Sequence, residues 1–232
     1  MRPNDFLRCL TIDFARAPLA LRAAFEFPVD EIRDLLCLAG RDGLPLIILY
    51  TPSALTLIST SQHHVRAFKP VLASVRERSQ GLEGWRTLPV RTASGSDAGR
   101  QLLRHAVPSP CFEPEIRDFV RALRRAAELS SSCDAYSSEL AALVRMTDHA
   151  AARVCDETRL GHSDSNPAEA ELETLAAERI LEEELVAWQS SYPALRSSLR
   201  PVTDDISQFT GEERQSVVRI RVASTLSKLR SA

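Results

Sequence analysis

Leu46-Ile-Ile-Leu-Tyr-Thr-Pro-Ser-Ala-Leu-Thr-Leu-Ile-Ser-Thr60 is the stretch whose reading decides the fold of this chain. It reads as two short apolar strands, Leu46–Tyr50 and Leu55–Thr60, separated by Thr51-Pro52-Ser53-Ala54. Proline cannot donate to a ladder, so it marks the bend. A strand that ends abruptly at such a bend displays whichever side chain sits there, and residues 51–54 are therefore the first place to look for chemistry.

Working outward, Leu7–Ile12 reads as a first strand and Asp13–Pro18 as a loop, since proline biases the residue before it away from helix. Leu19–Phe25 and Val29–Ala39 read as helices. Pro28 suits the first turn of the second, Asp30 and Glu31 favour the positive end of its dipole, and Val29, Ile32, Leu35 and Leu36 share a face. Gly40 is its expected stop. On the other side, Val65–Ser79 carries the stripe Phe68, Val71, Leu72 and Val75, with Gly81 beyond its end. Leu88–Thr92 is a further strand and Ser96–Ala106 a helix. Strands alternating with helices predict a small α/β sandwich over residues 1–112.

From Pro114 the pattern is helical only. Pro114–Leu129 directs Ile116, Phe119, Val120 and Leu123 inward and Arg121, Arg124 and Arg125 outward. Ser130–Asp134 is read as a break, and Ala135–Leu160 as a long helix with Leu140, Leu143, Val144, Ala151 and Val154 inward. Residues 113–160 thus form a helical connector. Gly161-His-Ser-Asp-Ser-Asn-Pro167 is a linker. Beyond it, Ala168–Tyr192 repeats Leu181, Leu185, Trp188 and Tyr192 at helical spacing, followed by helices over Leu195–Phe209 and Gly211–Arg230. Three such helices bury little core alone, so residues 168–232 are expected to pair two copies of the chain. The fold class is α+β: an N-terminal sandwich, long helices and a C-terminal helical dimerisation domain.

The formal net charge of −2 excludes nucleic-acid binding by bulk charge and leaves a local basic face as the only route. Arg121, Arg124, Arg125, Arg145 and Arg153 supply that face: their helical spacing suits a path of nucleic-acid phosphates. The same arginines equally suit a solvated face paired with Glu128, Asp148 and Glu157. The five cysteines, Cys9, Cys37, Cys111, Cys133 and Cys155, are scattered without C-x-x-C spacing and read as reduced, structural thiols rather than disulfides or a zinc site. No apolar run is long enough for a signal peptide or a membrane span, so a cytoplasmic protein is expected.

Ile12-Asp-Phe-Ala-Arg-Ala-Pro-Leu-Ala-Leu-Arg-Ala-Ala-Phe-Glu-Phe27 resembles the opening motif of the glutamyl-tRNA reductase family, G-I-N-H-K-T-A-P-V-x-x-R-E-x-x-x-F, with Ala17, Pro18, Arg22 and Phe27 at matching intervals. Glu113-Pro-Glu-Ile116 is similar to the family's G-E-P-Q-I, Ala151–Thr158 to its A-K-R-V-R-T-E-T, and Glu178–Trp188 to the start of its dimerisation helices. In that family the bend carries S-T-C-N-R-x-E, where the cysteine attacks the ester of glutamyl-tRNA and the arginine helps hold the glutamate.

Here Thr51 survives, Pro52 stands in place of the cysteine and Ala54 in place of the arginine. Gln101 takes the place of a family histidine. Residues 161–167 join directly what the family separates with an NADPH-binding domain, and no G-x-G-x-x-G is present. The resemblance therefore implies a relative without thioester and hydride chemistry, needing neither a dinucleotide nor a metal. Its expected partners are an aminoacyl-tRNA and a small-molecule amine or hydroxyl acceptor.

Two functions follow. The first is an aminoacyl-tRNA-dependent acyltransferase of specialised biosynthesis, moving an amino acid other than glutamate, with positioning supplying much of the acceleration. The second is an inactive relative that binds tRNA or the true reductase as a regulator. The catalytic candidates are Thr51, Ser53, His63 and His64; Ser53 would need an adjacent base, and otherwise serves the turn. Pro52, Ala54, Thr56, Arg22, Gln101 and Glu113 are the residues the resemblance places around the substrate. His105 and His149 read as packed helix residues, and His63–His64 as too divergent in direction for a metal pair.

Overall fold

The computed structural model describes residues 7–82, 84–106, 113–158 and 167–191. In chain order these form β1 (Arg8–Asp13), α1 (Leu19–Ala24), α2 (Val29–Arg41), β2 (Ile47–Tyr50), β3 (Ala54–Ser59), α3 (His64–Ser79), a short 3-10 turn at Trp85–Thr87, β4 (Val90–Ser94), α4 (Gly95–Ala106), α5 (Glu113–Ser132), α6 (Ser138–Thr158) and α7 (Pro167–Ser191). The four strands make one antiparallel sheet in the order β2-β3-β1-β4.

Both faces of the sheet are covered, which is why β2 reads as an apolar run and β3 is buried from Leu55 to Ser59 on both faces. Leu10, Ile12, Ile48, Leu55 and Leu57 face α1–α3, where Leu21, Phe25, Leu36, Phe68 and Val71 complete a first core. Cys9, Ile47, Leu49, Ile58 and Ala93 face the other way and join Leu102 of α4, Leu123 of α5, Leu143 of α6 and Ile180 of α7 in a second. Of the helices expected as connector and C-terminal domain, α5, α6 and α7 therefore contribute to the same core as the sheet. The helices expected over 195–209 and 211–230, the linker at 161–166 and Tyr192 lie outside the described residues.

Residues 51–54 form a tight hairpin turn. Thr51 N–H donates to Ala54 O at 2.9 Å, and the Thr51 hydroxyl accepts from Ala54 N at 3.1 Å. Pro52 and Ser53 sit at the tip, where a missing N–H costs no ladder bond.

Three expectations are corrected. Gly40 does not stop α2, which runs to Arg41. A Cβ at Gly40 would lie 2.0 Å from Cys133 O, so the glycine serves a close backbone approach, and the turn with positive φ falls at Gly43. Ser130–Ser132 does not break α5: Ser130 Oγ donates to Ala126 O and Ser132 Oγ to Leu129 O, so the hydroxyls bond back into the helix and it ends only at Ser132. Likewise α6 starts at Ser138, not Ala135, because Ser137 caps it by accepting the Leu140 N–H at 3.2 Å. The connection between α5 and α6 covers the outer edge of β2, where Leu46 N–H donates to Ala135 O.

Candidate functional site

Strand register turns one face of the sheet into a gradient of polarity. Cys9 lies opposite Ile58 and Ala93, Thr11 opposite Thr56 and Arg91, and Asp13 opposite Ala54. Leu49 and Thr51 extend the last two rows on β2. Successive rows thus pass from apolar to hydroxyl to charged as the sheet approaches the 51–54 turn, with period-two alternation keeping all these side chains on the α4 side.

α4 lays Gln101 and His105 over this polar end, since residues four apart share a helix face. Gln101 Nε2 donates to Thr11 Oγ1 at 2.9 Å, and the Thr11 and Thr56 hydroxyls lie 3.1 Å apart, both buried. Cys9 Sγ reaches Thr11 Oγ1 at 3.8 Å. Burial pushes the Cys9 thiol up to about 12, so at neutral pH it is a thiol and not a nucleophilic thiolate. His105 is held below its ordinary 6.5, first by burial and then by the Arg91 guanidinium, with Asp13 opposing. A half-buried imidazole in this setting is neutral at pH 7 and able to accept a proton.

Of the anticipated residues, Thr56 and Gln101 meet through Thr11, and Thr51 with Ala54 closes the adjoining row. Pro52 is exposed at the turn. Ser53 is exposed too; its hydroxyl lies 3.4 Å from that of Thr51, and its carbonyl accepts the Phe14 N–H at 2.8 Å. His63 and His64 lie at the other end of β3, about 20 Å from Ser53 by strand rise. His63 is exposed beside Gln62, and His64 is buried edge-on to Phe68. The structure does not bring these histidines to the turn. Arg22 projects from α1 on the opposite face, near Tyr50, where its charge opposes burial and Glu26 in setting the phenol. Glu113 opens α5.

Arg121, Arg124 and Arg125 are exposed and line a groove of about 580 Å³ between α5 and α6, floored by Ile116, Val120 and Ala151. Arg121 pairs with Asp118 at 3.3 Å and Arg124 with Asp148 at 2.8 Å. Arg145 is exposed on α6. Arg153 instead turns to α7, bonding Glu184 at 2.7 Å and Glu183 at 3.1 Å.

The fold is similar to that of a glutamyl-tRNA reductase from Methanopyrus kandleri, with a TM-score of 0.51 over 79% of this chain and 47% of that one, at 16% sequence identity. The chain has a glutamyl-tRNA-reductase-like fold. At that identity the likeness is one of fold, and the chain spans about half the length of that reductase. No protein-family model matches, and no curated protein matches. Among the described residues of this reductase-like fold no helix is long and apolar enough to cross a membrane.

Thr11, Asp13 and Arg91 were not among the residues singled out from the sequence, and His105, read there as a packed helix residue, lies half-buried beside them. Their signals were present as the period-two run Cys9, Thr11, Asp13 and the four-residue spacing from Gln101 to His105.

Proposed function

We propose that this protein binds an aminoacyl-tRNA and transfers its aminoacyl group to a small-molecule amine or hydroxyl. The observation that carries this reading is the placement of His105, with Asp13 and Arg91 in electrostatic reach, over the hydroxyl row beside a turn whose tip is Pro52-Ser53 and bears no thiol. An aminoacyl ester is already activated, so acyl transfer needs a positioned acceptor and a base. Neutral His105 takes the proton as the acceptor nitrogen or oxygen attacks the ester carbonyl. The imidazolium then returns that proton to the departing ribose oxygen of the tRNA. Cys9, the one thiol beside the row among the described residues, is too weakly acidic to form a covalent intermediate at neutral pH.

The groove arginines Arg121, Arg124 and Arg125 would follow the tRNA backbone, while Arg153 is committed to α7. Two copies would pair through residues 168–232, where Leu175 and Val186 stay exposed on α7.

The test is a panel of labelled aminoacyl-tRNAs incubated with the protein, with and without candidate amines. Acceptor-dependent loss of label from one tRNA, abolished by His105→Gln, supports the transferase. Salt-sensitive tRNA binding with no transfer from any member supports an inactive tRNA-binding relative instead, and absence of binding overturns both.

A further inference from the structure

Two thiols far from this site face each other across the edge of the sheet. Arg33, Cys37 and Gly40 lie on one stripe of α2, four and three residues apart. Cys133, in the connection after α5, touches both ends of that stripe: its Sγ reaches Arg33 O at 3.7 Å, and its carbonyl is packed so closely on Gly40 that a Cβ there would stand 2.0 Å away. Cys37 sits between those two contacts. We propose that Cys37 and Cys133 are a dithiol that closes to a disulfide and clamps α2 to the α5–α6 connection.

The packing favours closure. Gly40 allows the backbones to approach more nearly than any other residue would, and so holds Cys133 against the stripe of α2 that carries Cys37. A hydrogen bond from Cys133, then burial, raises the Cys37 thiol, in keeping with two sulfurs in mutual contact. Cys37 is half-buried and so open to an oxidant, whereas Cys133 is buried and acts as the resolving thiol. With a peroxide, the Cys37 thiolate attacks one peroxide oxygen, giving a sulfenic acid and releasing hydroxide, which takes up the proton the thiol had lost and becomes water. Cys133 then displaces hydroxide from that sulfur, so two thiols and one peroxide yield a disulfide and two waters.

The clamp would hold the segment that covers β2. Leu46 N–H pairs with Ala135 O, and the Thr60 and Ser137 hydroxyls lie 2.9 Å apart, all at the end of the sheet remote from the 51–54 turn. Oxidation should therefore stabilise the fold without touching the site chemistry. The closed loop, with 95 residues between the cysteines, is long, the condition under which a cross-link most restricts the unfolded chain.

The full-length protein is treated with hydrogen peroxide at pH 7 and pH 9, alkylated, digested and mapped by mass spectrometry. The expected result is a Cys37–Cys133 peptide lacking two hydrogens, formed faster at pH 9 and reversed by dithiothreitol, with a rise of several degrees in Tm that Cys37→Ser abolishes. Cys37→Ser alters a half-buried residue, and its reduced Tm matched to the wild type shows that the fold survives. Two alkylatable thiols at these positions in oxidised, folded protein would overturn the proposal. So would pairing of Cys37 with a different cysteine.

Discussion

Gln101 reaches across from α4 to donate a 2.9 Å hydrogen bond to Thr11 on β1, and Thr11 in turn lies 3.1 Å from Thr56 on β3. One buried hydroxyl thus ties a helix to two strands. Thr11→Val keeps the shape but strands the Thr56 hydroxyl and the Gln101 amide, and is expected to cost about 1–3 kcal/mol. The double variant Thr11→Val with Thr56→Val should cost less than the sum of the two singles, because it removes both partners. Chemical denaturation of the four proteins closes the cycle; strict additivity would refute the coupling.

His105 sets a pH dependence. Its folded pKa lies below the ordinary 6.5, so the unfolded chain binds the extra proton. The stability it contributes is complete above the unfolded value and is lost as pH falls through the folded one. Stability should therefore decline as pH drops below about 6.5, and His105→Gln should flatten that decline. For transfer, the rising limb of the pH–rate profile is expected below 6.5 as well, with a plateau through neutrality.

Gly40→Ala is a test of the close approach to Cys133. In a free helix the change would stabilise by about 1 kcal/mol. Here the new methyl meets Cys133 O at 2.0 Å, and a net loss of about 1–3 kcal/mol is expected from denaturation midpoints.

Two arginines separate binding from folding. Arg121→Ala removes an exposed side chain and should leave stability within about 0.5 kcal/mol, while lowering the salt slope of tRNA binding by about one. Arg153→Ala removes the ion pairs from α6 to Glu183 and Glu184 of α7 and leaves the His149–Glu184 contact in place. It should cost about 1–2 kcal/mol, between the exposed and buried limits for ion pairs, and speed hydrogen exchange along α7.

Self-association is open to a direct measurement. Leu175 and Val186 are 56% and 55% exposed on α7. Light scattering of the full chain should report a dimer, and Leu175→Glu with Val186→Glu should shift it toward monomer with an unchanged circular dichroism spectrum. A wild-type monomer at all concentrations would remove the pairing from the functional reading.

Much of the fold was legible in local chemistry. Pro52 marked the hairpin, the apolar stripe of Val65–Ser79 marked α3, and the inward residues of α6 are all buried. Errors arose where a residue's role depended on a distant neighbour. Gly40 looks like a helix stop until Cys133 is placed against it, and the serine run 130–132 looks like a break until the Ser130 and Ser132 hydroxyls are seen bonding carbonyls one turn back.

Periodicity and backbone constraint by themselves determined the elements, their order and the position of the turn, because helix and strand are decided by residues within a few positions of one another. Only the tertiary structure decided which side chains share a site. Pairing β1 with β3 and β4 aligns Thr11 with Thr56 and Arg91, and the packing of α4 adds Gln101 and His105 while sending His63 and His64 to the far end of β3. Those meetings join residues tens of positions apart, and they are selected by the burial of two apolar faces at once, a property of the whole sheet that no local stretch contains.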